Sequence, residues 1–475
     1  MRSRVVSGLT GRILKVYSVL TAVPLLIAVY YSEPLSVVID FSVAAFTALI
    51  TGHLIGFLGK ADEPTTSEAL IATVLGWGLA IVIGAIPLFR YLTFMGAVFE
   101  ASSGLTTTGM SMVLSPESLP RSVLFWRSFM QWVGGLGILT FFIAIIRESG
   151  GVSRRLFSAE AHKTDSGSIR PSLSKSIIDL WRVYGFLTIL IASTYIALGM
   201  EPFNAVLYGF STISTGGFSP INAGFDAFSQ AIQSAGILFM FIGGVNFVLL
   251  YRFLRAEAKP FLRNSEFKMY FLTFASVGLL TAATLLPRRP TIGKAFLDGL
   301  FQAAALISST GFSTTPVMTF SVAIQTLFLA VMFIGGSLGS TAGGLKMFRL
   351  KTMIELLRTR LRSYTLPESA INEVKIDGEI LDSSAIRTIA SLFFVWVIMV
   401  FMGAVAVLFL EDMSLISALS TTVSTAGNMG PVYISGPELV ETGVYSKLVF
   451  ILLMLAGRLE MLPLLALLNT KLFKE

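Results

Sequence analysis

Long apolar stretches run through this sequence, and they restrict its possible folds more than any other feature. Ten stretches are each near or above the roughly 20 residues that a helix needs to cross a bilayer. They cover residues 13–31, 35–57, 68–89, 121–146, 177–199, 229–253, 267–286, 320–350, 385–410 and 443–470. Barrel strands would be shorter and would alternate in polarity. The sequence therefore predicts an all-α polytopic membrane protein.

Charge supports this prediction and orients the chain. Only 13% of the residues are charged, against about 25% in soluble domains. Most of the 35 Lys and Arg residues lie near the termini and in segments 147–182, 251–268 and 346–387. By the positive-inside rule, these segments and both termini face the cytoplasm, and the protein lies in the cell membrane.

The chemistry-bearing residue types are sparse. The chain has no cysteine and two histidines, so disulfides, thiolate sites, zinc and haem are not expected. Acidic residues within the spans are few and scattered, which argues against an intramembrane enzyme. We therefore expect no catalytic residues, no cofactor and no enzyme activity.

Four shorter apolar segments resemble one another. Each continues into Ser or Thr residues and then glycine; they are residues 96–110, 203–218, 297–312 and 416–431. A helix of about 12 residues is about 18 Å long, too short for a hydrocarbon core of about 30 Å. Each segment is therefore predicted to enter the membrane part-way and return on the same side. Irregular backbone at that depth is tolerated only where protein buries it or where it lines a cavity.

The spacing of glycines indicates an internal repeat. The key glycines of the four segments are Gly109, Gly216, Gly311 and Gly430, and another glycine follows each after 24 to 27 residues, at Gly134, Gly243, Gly335 and Gly457. This register predicts four span–pore-loop–span repeats around a pseudo-four-fold pore, plus two extra N-terminal transmembrane helices. The predicted units are residues 1–66 (two N-terminal helices) and repeats 67–165, 166–262, 263–375 and 376–475.

These segments favour cations. Glycine lets the backbone approach an ion closely, and four such loops around one axis would form rings of carbonyl oxygens that replace the water shell of K⁺. The C-terminal ends of the short helices would add partial negative charge. The alternative is a secondary transporter of an organic solute, a class that usually shows two inverted repeats.

Several linear motifs carry a family resemblance. They are 125-FWRSFMQWVGGLGI-138, 241-FIGGVNF-247, 333-FIGGSLGSTAGGLKMFR-349 and 455-LAGRLEMLPLL-465. With the four loops, they resemble the Trk/Ktr/HKT superfamily of potassium transporters. The two extra N-terminal spans favour the TrkH-type membrane subunit over the shorter KtrB type. The resemblance implies K⁺ uptake, with K⁺ as the transported ion.

The resemblance also implies a selectivity filter that binds K⁺. Its residues would be Thr107, Thr108 and Gly109; Ser214, Thr215 and Gly216; Ser309, Thr310 and Gly311; and Asn428, Met429 and Gly430. In the fourth loop Gly427 competes with Gly430, and the family's Asn-Leu-Gly-Pro pattern favours Gly430. Glycine at 109, where sodium-permeable members tend to have serine, favours K⁺. A sodium-permeable cation transporter of the same fold is the alternative.

Segment 335–344 has five glycines inside an apolar span. Because each costs up to about 1 kcal/mol in a helix interior, we expect a broken helix, although close packing of small residues is an alternative. The resemblance implies an intramembrane gate at Gly335, Gly336, Ser337, Gly339, Ser340, Thr341, Gly343, Gly344, Lys346 and Arg458. Lys346 would form an electrostatic barrier or snorkel to the cytoplasmic surface.

Arg458 lies inside a span, where a charge usually faces a cavity or a partner. The resemblance places it in the ion path, where it would limit flow. The alternative is a structural arginine neutralised by pore-helix carbonyls or by a carboxylate such as Glu100. Arg127 and Gln131, one helical turn apart, are predicted to pack the first repeat.

No Walker loop or complete Rossmann fingerprint occurs in the chain. The resemblance instead implies a separate cytosolic nucleotide-binding regulator of the TrkA type, docked on the cytoplasmic face. It also implies a homodimer with one pore in each protomer. The polar residues 363–381 within that face are predicted to form an extended or hairpin excursion.

Overall fold

The computed structural model describes residues 2–60, 62, 64–148, 173–365, 367 and 373–461. The predicted boundary between the first two repeats, at residues 165 and 166, lies outside these ranges, as do the basic residues predicted between 149 and 172 and the end of the last predicted span. The four-repeat division of the fold can be followed in the remaining chain.

Two N-terminal helices precede the first repeat. They are α1 (Ser3–Tyr30) and α2 (Leu35–Phe57). The first repeat then consists of α3 (Thr66–Gly84), the short α4 (Phe94–Leu105) and α5 (Arg121–Glu148). Thr65 begins α3 with a capping box, because its side chain accepts from Glu68 N while the Glu68 carboxylate accepts from Thr65 N.

The second repeat contains a bend that the sequence did not predict. It consists of α6 (Leu173–Ala197), the short α7 (Pro202–Ile213), α8 (Gln230–Gly243) and α9 (Phe247–Leu254). Helices α8 and α9 meet at 108°, so the predicted span over 229–253 is a bent pair of helices. Asn246 explains the new start: its side chain accepts hydrogen bonds from Val248 N and Leu249 N and caps α9.

The third repeat follows a short connecting helix, α10 (Ala258–Arg263). It consists of α11 (Ser265–Leu285), the short α12 (Ile292–Ile307), α13 (Val322–Ile334) and α14 (Met347–Ser363). The predicted break in this second span is confirmed, because α13 ends at Ile334 and α14 begins only at Met347. We call residues 335–346 the glycine-rich loop.

A small hairpin connects the third repeat to the fourth. Its strands are β1 (Lys375–Ile376) and β2 (Glu379–Ile380), paired antiparallel, as predicted for this excursion. The fourth repeat consists of α15 (Ser383–Leu410), the short α16 (Leu415–Gly427), α17 (Gly436–Glu441) and α18 (Val444–Arg458). Single 3-10 turns lie at Ile86–Leu88, Pro116–Ser118, Gly224–Ala227, Leu286–Arg288 and Val317–Thr319.

The repeats pack in a circle. The second span of each repeat contacts the short helix of the next: α5 contacts α7, α8 contacts α12, and α13 contacts α16. The circle closes because α18, in the fourth repeat, contacts α4 in the first. This arrangement places the C-terminal ends of the four short helices at a common centre.

Many helices have the properties of membrane spans. Six described helices are long and apolar enough to cross a membrane by length and composition, and the bent pair α8–α9 would make a seventh. The predicted spans over 320–350 and 443–470 contain described helices of only 13 and 15 residues. The first is short because the glycine-rich loop interrupts it. The protein is an integral membrane protein of helical fold, as predicted.

Candidate functional site

Local sequence sets the position of the four short helices. Hydroxyl side chains cap three of them: Thr93 accepts from Gly96 N, Thr291 from Lys294 N, and Ser414 from Ser417 N. The remaining helix, α7, begins with a proline, which has no backbone N–H group that would need an acceptor there. Their C-terminal ends point at the centre and bring partial negative charge to it.

Each short helix ends in a loop whose backbone alternates in handedness. The loops are 107–109, 215–217, 309–311 and 428–430, and we call them the central loops. Their first residue has φ between 49° and 55°, and their last is a glycine with φ between 77° and 97°. The residue between them has negative φ. Such alternation gives consecutive peptide groups the same orientation. Their N–H groups lie on one side of the chain, and their carbonyl groups lie on the other.

The glycines that end the central loops interlock in a ring. A Cβ on Gly109 would overlap the carbonyl oxygen of Gly216 in the next loop, and a Cβ on Gly217 would overlap Thr310 O. The contact recurs between Gly311 and Met429 O. It closes between Gly430 and Thr108 O, where the added Cβ would lie 2.9 Å away. Glycine is therefore required four times, both by φ and by the proximity of a neighbouring carbonyl. We call these four glycines and four carbonyls the central ring.

The second central loop lies one residue later in the chain than predicted. Gly217, with φ of 81°, occupies the place that Gly109 and Gly311 occupy in their loops, whereas Gly216 corresponds to Thr108. Ser214 is the C-cap residue of α7, and its hydroxyl donates to Phe210 O at 2.7 Å. The predicted equivalence of Gly216 with Gly109 is therefore wrong. Two adjacent glycines made both registers compatible with the sequence.

The fourth central loop has the predicted register. Asn428 is in the left-handed region with φ of 49°, and Gly430 has φ of 97°. Gly427 is instead the last residue of α16. The Asn428 side chain donates to Met454 O at 2.9 Å and to the Thr108 hydroxyl at 3.0 Å, which joins the fourth repeat to the first.

Serines outside the ring form a repeated turn. In three loops, the serine two residues after the ring glycine donates its hydroxyl to the carbonyl two residues further on and accepts from that residue's N–H; these serines are Ser111, Ser219 and Ser313. The fourth loop has Val432 at this place. The repeated turn shows that the first three loops share the same local geometry beyond the ring.

The predicted packing role of Arg127 and Gln131 extends beyond the first repeat. Buried Arg127 forms an ion pair with buried Glu100, with 2.8 Å between Nε and Oε1. Gln131 is fully buried and hydrogen-bonds to the second central loop. Arg127 also donates to Ser219 O at 3.4 Å, so both residues connect the first repeat to the second.

The glycine-rich loop lies against the inner ends of the short helices. Thr341 donates its hydroxyl to Ile213 O at 2.9 Å, at the end of α7, and Gly343 N donates to the Ser309 hydroxyl at 2.6 Å. A Cβ on Gly343 would overlap Gly427 O. Three of the four short helices thus contact this loop.

The bend in the second repeat also contacts the glycine-rich loop. Phe247 N donates to Gly339 O at 3.0 Å, and Ser337 N donates to Gly244 O at 3.0 Å. The unpredicted bend and the predicted break are therefore parts of one structure. The sequence signal for the bend was the glycine pair 243–244 followed by Asn246, a good helix N-cap.

Arg458 joins the glycine-rich loop to the first repeat. Its guanidinium donates to Thr341 O at 2.8 Å and to Gly134 O at 2.9 Å. Its Nε has no hydrogen-bond partner among the described residues. The alternative prediction that Glu100 neutralises Arg458 is wrong, because the Glu100 carboxylate pairs with Arg127.

Lys346 does not snorkel. It is only 4% exposed, and its Nζ donates to Ala342 O within the glycine-rich loop. Nearby, buried Arg349 at the start of α14 pairs with Glu460, just after α18. The inner side of the site is therefore rich in basic groups held by carbonyls and by one carboxylate.

Side chains also connect the glycine-rich loop with the hairpin. Leu338 of the loop belongs to a buried apolar cluster with the following residues of α14, the hairpin region and α15: Phe348, Val374, Ile376, Leu381 and Ile389. Leu338 N also donates to Glu266 Oε1 at 2.8 Å. We call this the hairpin cluster. It connects the surface hairpin to the centre of the molecule.

The site contains no arrangement typical of a metalloenzyme in the part of the chain described here: no three His, Asp or Glu side chains come together as ligands would. Its chemistry is that of backbone oxygens and hydroxyls arranged around an axis. Fold and site together define a polytopic membrane protein of the cation-transport class.

Comparison with known proteins specifies the family. The family model of TrkH, described as a cation transport protein, matches residues 38–473. The chain belongs to this family, which confirms the family resemblance seen in the sequence.

Individual relatives extend over nearly the whole chain. An uncharacterized cation transporter of Methanocaldococcus jannaschii is 30% identical over 98% of this chain and 95% of its own length. The Trk system potassium uptake protein TrkH of Escherichia coli K12 is 28% identical, covering 100% of both chains. The crystal structure of the potassium transporter TrkH from Vibrio parahaemolyticus matches with a TM-score of 0.89 at 27% identity, covering 99% of each chain.

Proposed function

We propose that this protein takes up K⁺ across the cytoplasmic membrane through the central ring, which acts as a selectivity filter. The proposed filter residues are Thr107, Thr108 and Gly109; Thr215, Gly216 and Gly217, with Ser214 beneath them; Ser309, Thr310 and Gly311; and Asn428, Met429 and Gly430. The single observation that carries the proposal is the closed circle of glycine–carbonyl contacts between all four loops.

The chemistry of the ring supports a dehydrated monovalent cation. Backbone carbonyls supply partial negative charge without a fixed anion, and the four helix C-terminal ends add to it. The central loops contain no Lys or Arg that would repel a cation. The printed names of the relatives from Escherichia coli and Vibrio parahaemolyticus, a potassium uptake protein and a potassium transporter, agree with this choice of ion.

We propose that the glycine-rich loop is the gate. Its gate residues are Gly335, Gly336, Ser337, Gly339, Ser340, Thr341, Gly343, Gly344, Lys346 and Arg458. The loop contacts the inner ends of three short helices and is held to the fourth side by the hydrogen bonds of Arg458 to Thr341 O and Gly134 O. A loop in this position would obstruct the ion path between the central ring and the cytoplasmic side, and displacement of the loop would open that path.

Regulation is proposed to come from a cytosolic nucleotide-binding subunit. Both termini and the hairpin would face the cytoplasm, where the partner docks, and two copies of this chain would form a homodimer. The hairpin cluster provides the mechanical connection, because Leu338 of the gate packs in the same cluster as hairpin residues. A partner that moves the hairpin would change the packing around the gate and shift the open population.

Ion flux into vesicles tests the proposed function. Purified protein reconstituted into liposomes is expected to pass K⁺ and Rb⁺ faster than Na⁺ and Li⁺, measured with and without the cytosolic partner and nucleotide. Empty vesicles are the control. Equal Na⁺ and K⁺ flux would favour the sodium-permeable alternative, and uptake of an organic solute without cation selectivity would favour a secondary transporter.

Substitution of the ring glycines tests the filter assignment. Gly109→Ser and Gly217→Ser are each expected to lower the K⁺ over Na⁺ permeability ratio about ten-fold, equivalent to about 1.4 kcal/mol of discrimination. The added Cβ would overlap a neighbouring carbonyl, at Gly216 O and at Thr310 O respectively. Gly185→Ser is the matched control, since a Cβ there has open space. An unchanged ratio in folded Gly217→Ser protein would reject the revised register of the second loop.

A further inference from the structure

One side of the central ring differs from the other three. Gln131 lies three residues before Gly134 in the second span of the first repeat. The residues at this distance before Gly243, Gly335 and Gly457 are all methionines, namely Met240, Met332 and Met454. None of the four side chains reaches solvent, but only the glutamine can donate a hydrogen bond.

Gln131 holds the second central loop at two points. Its Nε2 donates to Gly216 O at 2.7 Å, and its Oε1 accepts from Phe218 N at 3.1 Å. The two contacted residues flank Gly217, the ring glycine. Gly216 fits tightly against this amide, because a Cβ on Gly216 would overlap the Gln131 side chain. The amide therefore bridges the first repeat and the second loop with its donor and its acceptor both used.

This bond changes the hydrogen bonding of one ring carbonyl. Gly216 O accepts from Gln131, whereas within the described chain Thr108 O, Thr310 O and Met429 O accept no hydrogen bond from protein. A methionine could not supply such a bond. The four corners of the ring are therefore chemically unequal, and among the described residues the second corner is the one whose ring carbonyl accepts a hydrogen bond from a side chain.

Arg127, one turn before Gln131, strengthens the same junction. Its guanidinium lies 4.4 Å from the centre of the Phe218 ring and donates to Ser219 O at 3.4 Å. The equivalent residues, seven before the glycine in the other second spans, are Gly236, Phe328 and Phe450. None of these three residues has a side chain that can donate a hydrogen bond, so the contacts that Arg127 makes with the following loop have no equivalent at these positions.

We propose that Gln131 is a positioning residue for ion selectivity: it fixes the direction of the Gly216 carbonyl and the place of Gly217 in the ring. The inference rests on the proposed K⁺ filter. A carbonyl held by a side chain behind the loop keeps its distance to the axis when an ion of different size binds. Without that bond the second loop can move, and the ring adapts more easily to a smaller cation.

The direct test is Gln131→Met, which gives the first repeat the residue of the other three. In proteoliposomes, the K⁺ over Na⁺ permeability ratio of this variant is expected to fall about five-fold, the size of effect that one net hydrogen bond supplies. Met332→Leu, a change of similar size at the equivalent position of the third repeat, is the matched control, and its ratio is expected to change less than two-fold.

Thermal stability in detergent separates positioning from simple packing. An unchanged permeability ratio in Gln131→Met protein that unfolds at a lower temperature would overturn the inference and leave Gln131 a structural residue. An equal loss of ratio in Met332→Leu would also overturn it, because any core change would then suffice. A wild-type protein without K⁺ preference would refute the proposed function itself and is seen before any variant is made.

A second variant approaches the same bond from the loop. Gly216→Ala has no positive φ to strain, but its Cβ would displace the Gln131 amide. It is expected to lower the permeability ratio by a similar factor. This variant keeps the inference testable if Gln131→Met does not fold, and a wild-type ratio in Gly216→Ala would then overturn it.

Discussion

The second spans of the first and third repeats contain the same glycine pair but fold differently. Gly134 and Gly135 lie inside the continuous helix α5, whereas α13 ends just before Gly335 and Gly336. A glycine pair therefore does not break a helix by itself. The third repeat has three further glycines within the next eight residues, and the exposed backbone groups find partners in the second and third repeats.

The second and fourth repeats lie between these extremes. Gly243 and Gly244 end α8, and a capped helix resumes after a bend of 108°. In the fourth repeat the second glycine of the pair is replaced by Arg458, the last residue of α18. The same position thus lies in a continuous helix in the first repeat, at a bend in the second and at a break in the third, and it carries a charge in the fourth. The following residues and their partners therefore decide the outcome.

Removing the third repeat's extra loop should have the largest effect. Deletion of residues 337–343 is expected to raise K⁺ flux about ten-fold or more, because a barrier lower by about 1.4 kcal/mol speeds passage ten-fold. Flux is compared with wild-type protein at equal incorporation, and size-exclusion chromatography verifies folding. A folded deletion protein with wild-type flux would show that the loop is packing and not a barrier.

Removing the fourth repeat's charge should have a smaller effect. Arg458→Ala is expected to raise single-protein K⁺ conductance about three-fold to five-fold, since a fixed positive charge near the path opposes cations. Arg358→Ala removes an arginine whose side chain is 63% exposed and serves as the charge-matched control. Identical currents in Arg458→Ala and wild type would favour a structural role for this arginine.

Weakening the hinge of the second repeat should have the smallest effect. Asn246→Ala removes the cap of α9 and is expected to lower the free energy of unfolding by about 1 kcal/mol, measured by thermal unfolding in detergent. Ser276→Ala, at an exposed helix position where the hydroxyl donates to Thr273 O, is the control. No loss of stability in Asn246→Ala would mean that contacts with the glycine-rich loop alone maintain the bend.

Much of the fold follows from the sequence because membrane helices leave strong local signals. Hydropathy located the long helices, and the short apolar segments followed by Ser, Thr and Gly located the four re-entrant helices. Five glycines in one span predicted the break after Ile334, which the structure confirms. These features depend on residues near one another in the chain, so they can be read without knowing the tertiary structure.

The remaining features depend on contacts between distant residues. The register of the second loop was ambiguous because Gly216 and Gly217 are adjacent, and the neighbouring loops decide between them. The sequence predicts that Gln131 packs its own repeat, but its partners lie 85 and 87 residues away in the chain. The carbonyl partners of Arg458 belong to other repeats and have no side-chain signature. Such partners are not encoded by any local pattern.

The circular packing has a consequence for how this centre can vary. A single polypeptide supplies all four corners, so one codon change alters one corner and leaves the others intact, whereas in a symmetric tetramer every substitution would appear four times. Each quadrant can therefore acquire its own function. The glutamine in one repeat, at a position where the other three repeats have methionine, is one result of that independence.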